Sequence, residues 1–122
     1  MRKNKKEINS EEIWMKKIIW TIFLIGTIAI SGCVQKAPSE LERAKAACIN
    51  ACKKALAEGQ DLSAGPCLLN PMDELPNWVC DVAHEPREAI DNLPENQCSA
   101  YREGRASHFV EVDPNCNFIR AV

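Results

Sequence analysis

The chain has 122 residues, enough for one domain, with 26% charged and 6% aromatic side chains and a formal net charge of −2. Its seven cysteines, Cys33, Cys48, Cys52, Cys67, Cys80, Cys98 and Cys116, are a density that belongs to exported disulfide scaffolds and not to a reducing cytosol. Residues 1–32 carry six Lys/Arg against three Glu, whereas residues 33–122 carry nine basic against fourteen acidic side chains, a net of −5. That surplus excludes a nucleic-acid partner, because it repels phosphate backbones.

In chain order the first element is a secretory signal. Lys16 and Lys17 precede thirteen uncharged residues, 18–30, in which Thr21 and Thr27 are the polar side chains. This is the basic n-region and apolar h-region of an exported protein. As a helix the run spans about 20 Å, short of the roughly 30 Å hydrocarbon core. Extended to Val34 it becomes an uncleaved transmembrane anchor, the alternative reading, with both lysines on the cytoplasmic side. Glu7, Glu11 and Glu12 sit oddly in an n-region, and Met15 is the expected initiator, with residues 1–14 otherwise a dispensable extension.

The run ends in Ile30-Ser31-Gly32-Cys33, which resembles the lipobox of prokaryotic lipoproteins: an aliphatic residue and two small ones before a cysteine. The small residues let an extended backbone enter a peptidase, and the cysteine sulfur accepts the lipid. The resemblance covers residues 15–33. It implies a diacylglyceryl thioether on Cys33 and cleavage before it. Ordinary signal cleavage after Ala29-Ile30-Ser31 is a second possibility, which would leave Cys33 a free thiol. Lipidation uses one sulfur and leaves Cys48, Cys52, Cys67, Cys80, Cys98 and Cys116 for three bridges. The expected organisation is therefore signal 1–32, lipidated tether 33–38 and an extracytoplasmic domain 39–122 on the outer face of the cell membrane.

Within that domain, Ser39-Glu40-Leu41-Glu42 reads as a capping box behind Pro38. Leu41, Ala44, Cys48, Ala51, Cys52, Ala55 and Leu56 recur at helical steps, and Gly59 supplies the stop. Cys48 and Cys52 lie one turn apart on the same face, too constrained to bond each other, so each is expected to reach the chain downstream.

Prolines 66, 71, 76, 86 and 94 predict irregular Pro-rich loops over residues 60–97. Residues 78–82 form at most one turn or a brief strand there, with Trp78 anchoring the core. Between Glu58 and Glu95, nine acidic side chains are interrupted by Arg87 alone and are expected on a solvated loop surface.

Residues 107–112 and 117–122 flank Asp113-Pro114-Asn115-Cys116, a turn sequence, and predict a hairpin. Alternation sets His108, Val110 and Val112 against Phe109 and Glu111. Cys98 is the nearest upstream partner for Cys116, among fifteen connectivities. The fold expected is thus a small α+β disulfide-rich domain with one helix, loops and a C-terminal hairpin.

Chemical motifs are few. Cys80, Asp81 and His84 could present metal ligands on one turn, and His108, Glu111 and Asp113 in one strand region. Oxidised cysteines leave no thiolate, however, and no metal or other cofactor is expected. Cys48-x-x-x-Cys52 lacks thioredoxin spacing, and no G-x-S-x-G or H-E-x-x-H occurs. Asp81 with His84, or Glu111 with His108, are the acid-base pairs to weigh. The reading is a non-enzymatic lipoprotein held to the membrane by its lipid, binding an envelope protein or small ligand. A thiol or metal-binding protein is the competing class.

Overall fold

Ser39 and Gly59 bound the longest element of the computed structural model, which describes residues 10–25 and 35–122. Met1–Gln35 and Lys36–Val122 are separate compact units. In the first, α1 (Ser10–Ile25) runs through Met15, Lys16 and Lys17 into the apolar run, with Ile13, Trp14, Met15 and Ile19 exposed. Residues 26–34, with the lipobox-like tetrapeptide and Cys33, lie outside the described residues. Among the described residues no helix is long and apolar enough to cross a membrane.

The second unit is a small α+β domain. α2 (Glu40–Ala57) opens where the Ser39 hydroxyl accepts the Glu42 N–H at 3.2 Å. It closes as the Gly59 N–H reaches the Leu56 carbonyl and the Gln60 N–H the Ala55 carbonyl, with Gly59 at φ +79°. Ala44, Cys48, Cys52 and Ala55 are buried, so the helix axis comes close to what it packs on. Leu41 and Leu56, at the ends of the expected stripe, are instead exposed.

α2 lies on a four-stranded sheet of order β1-β2-β3-β4. The strands are β1 (Cys67–Leu69), β2 (Trp78–Val82), β3 (His108–Val112) and β4 (Phe118–Ala121). β1 is antiparallel to β2, β2 parallel to β3, and β3 antiparallel to β4. The hairpin is therefore present, its turn closed by the Cys116 N–H on the Asp113 carbonyl at 2.8 Å. The Pro-rich segment is more regular than the loops expected: residues 78–82 take the brief-strand alternative as β2, buried along its whole length, and residues 67–69 add an edge strand. Alternation could not announce β2, because both its faces are covered.

A parallel pair needs a crossover. Residues 83–107 supply it, through two 3-10 turns (Ala89–Asn92, Pro94–Asn96) and α3 (Ser99–Arg102). On the α2 side Trp78, Cys80, Val82, Val110 and Val112 join Leu62, Met72 and Leu75 in the main core. Trp78 anchors it, its indole N–H donating to Glu40 Oε1 at 2.6 Å. On the other side Val79, Cys98, Ala100 and Ala106 form a smaller cluster, with Phe109 packed against it.

Three disulfides rivet these layers. Cys48–Cys80 ties α2 to β2, Cys52–Cys116 ties it to the β3–β4 turn, and Cys67–Cys98 ties β1 to the crossover. Both helix cysteines thus reach downstream partners. The expected Cys98–Cys116 pairing is wrong: Cys98 lies in the cluster beneath the crossover, whereas Cys116 belongs to the core under α2.

Candidate functional site

Parallel register sets Val79 beside Phe109 and Asp81 beside Glu111. Because strand side chains alternate, all four project from the face opposite α2. β4 adds Arg120 by an irregularity: Arg120 pairs Glu111 but Phe118 pairs Val112, so Ile119 is an extra residue. This bulge leaves Arg120 facing Glu111 while Phe118 turns toward α2, under the Lys45 ammonium at 4.5 Å. The crossover then covers the face, and the Cys67–Cys98 bridge fixes it to β1.

Between sheet and crossover is a cavity of about 310 Å³, lined by Val79, Asp81, Arg87, Gln97, Cys98, Tyr101, Arg102, Phe109, Glu111 and Arg120. That is the lower end of the size of small-molecule sites. Glu111, 4% exposed, has both oxygens engaged. Arg87 Nη1 donates to Oε1 at 2.8 Å, Arg120 Nε to Oε2 at 2.7 Å, and Arg120 Nη2 to Oε1 at 3.4 Å. The Arg120 guanidinium also lies 5.2 Å from the Phe109 ring centre, and Tyr101 meets that ring edge-on at 5.0 Å.

Asp81 is treated differently. It is 8% exposed, and its Oδ1 has no hydrogen-bond partner. Burial, with Glu111 and Asp91 adding repulsion, pushes its carboxyl up to about 8, against the opposing pull of Arg87 and the Val82 N–H. The group therefore holds its proton at neutral pH. A neutral carboxylic acid that can donate or accept faces the cavity beside three guanidinium groups.

The sequence-derived site residues do not assemble as expected. His84 meets Asp91, not Asp81, with Nδ1 2.8 Å from Asp91 Oδ1, and this hydrogen bond raises the imidazole's pKa. Burial alone would raise Asp91, but the N–H groups of Glu88 and His84 and the His84 ring together hold it below the usual carboxylate value. Asp81 and Asp91, at 8% and 2% exposure, also depart from the solvated acidic surface expected of residues 58–95. His108 faces the α2 side, stacked on Trp78 at 4.6 Å with Nδ1 3.2 Å from the Val122 carbonyl, away from Glu111. Asp113 accepts the N–H groups of Asn115 and Asn117 and shapes the turn. Among the described residues no three His, Cys, Asp or Glu side chains could hold a metal ion.

One available signal was the pattern shared by Trp78-Val-Cys-Asp-Val82 and His108-Phe-Val-Glu-Val112, an acid fourth in an otherwise apolar or aromatic strand. Nothing in the sequence marked Arg87, Gln97, Tyr101, Arg102 or Arg120 as its neighbours. Compared with protein families, curated proteins and solved structures, the chain gives no match.

Proposed function

We propose that this chain is an exported lipoprotein: residues 1–32 direct secretion, Cys33 carries a diacylglyceryl thioether, and residues 39–122 act at the outer face of the membrane as a non-enzymatic binding module. The observation that carries this reading is that Cys48, Cys52, Cys67, Cys80, Cys98 and Cys116 bond one another in three bridges. Such bridges persist in an oxidising compartment. They also leave Cys33 as the seventh sulfur, at the end of a correctly sized h-region. Several acyl chains suffice for stable anchoring, since each buried methylene adds about 0.8 kcal/mol.

The non-enzymatic half is supported by how the polar side chains are employed. Both Glu111 oxygens receive guanidinium N–H groups, which leaves the carboxylate poorly placed to act as base or nucleophile. His84 is taken up by Asp91, and His108 by Trp78 and the Val122 carbonyl. Intact mass of the membrane-extracted protein under non-reducing conditions tests the anchor. The expected species starts at Cys33, carries the lipid and lacks six hydrogens. Retention of residues 1–32 would make this an uncleaved single-pass membrane protein instead, and titratable thiols would favour the thiol class.

A further inference from the structure

The cavity on the sheet face opposite α2 contains a costly feature. A buried carboxyl oxygen without a partner destabilises a fold, and Asp81 has one in Oδ1, on a residue that is 8% exposed and lines the cavity. Apolar residues of similar size would fill a strand position in this sheet better, as Val79 does two residues earlier on the same face. Of the three arginines around it, Arg87 donates from Nε, Nη1 and Nη2 to Asn92, Glu111 and the Asp91 carbonyl, whereas Arg102 and Arg120 keep hydrogen-bonding capacity to spare. Arg102 uses Nη1 on the Pro94 carbonyl at 3.3 Å, and Arg120 uses Nε and Nη2 on Glu111. Among the described residues, no hydrogen bond engages Arg102 Nε and Nη2 or Arg120 Nη1. Depth sorts these groups: Asp81, Val79 and Cys98 form the buried floor, whereas Arg102 and the half-exposed Arg120 stand at the mouth.

We propose that this cavity binds a small hydroxylated organic acid, its hydroxyl on Asp81, its apolar body against Val79 and the Tyr101–Phe109 pair, and its carboxylate on Arg102 and Arg120. A hydroxyl is the group that both donates and accepts, so it serves either oxygen of a carboxylic acid. Arginine matches a carboxylate in shape and charge. Arg87, Arg102 and Arg120 outnumber Glu111 in the cavity lining, on a domain whose net charge from residue 33 is −5, which favours an anion here over the rest of its surface. Val79, Tyr101 and Phe109 favour an organic anion over inorganic phosphate. The inference rests on the binding half of the function proposed above and is independent of the anchor, so an unlipidated mass leaves it standing and a failed titration leaves the anchor standing.

The test is a titration of the oxidised, detergent-extracted full chain with 4-hydroxybenzoate to about 10 mM, the range in which a molecule of roughly ten heavy atoms binds. Backbone amide shifts report the site. Changes are expected at residues 79–81, 98–102, 109–111 and 120, with benzoate and phenol each binding roughly ten-fold more weakly, because each leaves one end of the site unpaired. Asp81→Val, which keeps an apolar strand residue and the fold, should bring 4-hydroxybenzoate down to the affinity of benzoate and leave benzoate itself unweakened. Arg102→Gln should cost roughly ten-fold for both carboxylates and nothing for phenol. Absence of shifts at these residues, equal affinities for 4-hydroxybenzoate and benzoate, or an Arg102→Gln variant indistinguishable from wild type would each overturn the proposal.

Discussion

Replacing Asp81 by asparagine should make the protein more stable, and increasingly so as pH rises. The carboxyl ionises near its ordinary 3.8 in the unfolded chain and at about 8 in the folded one. Between those values the folded protein holds a proton that the unfolded chain has released, so stability declines by ~1.4 kcal/mol per pH unit. By pH 7 the accumulated cost is ~4 kcal/mol, and local relaxation and water entry reduce such penalties, which gives ~2–4 kcal/mol. Asparagine has nearly the shape of the protonated acid and no ionisation to suppress. The two proteins should therefore be within about 1 kcal/mol of each other at pH 4, diverge steadily through neutrality and differ by a constant amount above about pH 8. Guanidinium unfolding of the non-reduced proteins at pH 4, 5.5, 7 and 9 measures this. An asparagine variant equal to or weaker than wild type at pH 7, with a parallel pH profile, would refute the argument that Asp81 is a neutral acid kept at the expense of stability.

Three other outcomes follow from the same geometry. With the other bridges intact, Cys52→Ala/Cys116→Ala should lose about 4 kcal/mol in chemical unfolding, since this bridge spans 64 residues and restricts the unfolded chain most. Gly65→Ala should lose about 2–4 kcal/mol, because Gly65 sits at φ +68° and a Cβ there would lie 2.7 Å from Asp91 Oδ1 and 2.9 Å from the Val82 carbonyl oxygen; wild-type stability in a thermal melt would contradict it. The Asp91 hydrogen bond raises the His84 pKa above 6.5, so its contribution is complete below pH 6.5 and is lost as pH rises through the folded value. In an Asp81→Asn background, where the larger slope is gone, a residual decline above pH 6.5 should be visible and should vanish with His84→Gln; its persistence in the double variant would assign it elsewhere.

The parts of the fold legible in the sequence are those set by local chemistry. Ser39 and Gly59 bound α2 because a hydroxyl that caps an N–H and a residue that tolerates positive φ act on their own neighbours. Asp113 and Pro114 determine their turn in the same way. β2 was harder to see, since a strand buried on both faces has no alternation, and its partner β3 starts beyond a crossover of residues 83–107. The cavity is less visible still. Asp81 and Glu111 become neighbours only through parallel register, Arg120 reaches Glu111 only because of the bulge at Ile119, and Arg87 arrives from the crossover. A run of nine acids between Glu58 and Glu95 resembles a solvated surface unless pairing shows which of them point inward.

The arrangement of the three bridges carries a consequence for how the protein matures. Cys48–Cys80, Cys52–Cys116 and Cys67–Cys98 never join neighbours in the order of the cysteines. A chain oxidised progressively from its N-terminal end would first meet only mismatched pairs, such as Cys52 with Cys67, because Cys52 must wait for a partner 64 residues away. A chain that forms such pairs reaches the native set only by thiolate attack on them, a process of seconds to hours without a catalyst. For such a chain the yield of correctly bridged molecules depends on how fast the surroundings can reshuffle sulfur into one of fifteen outcomes.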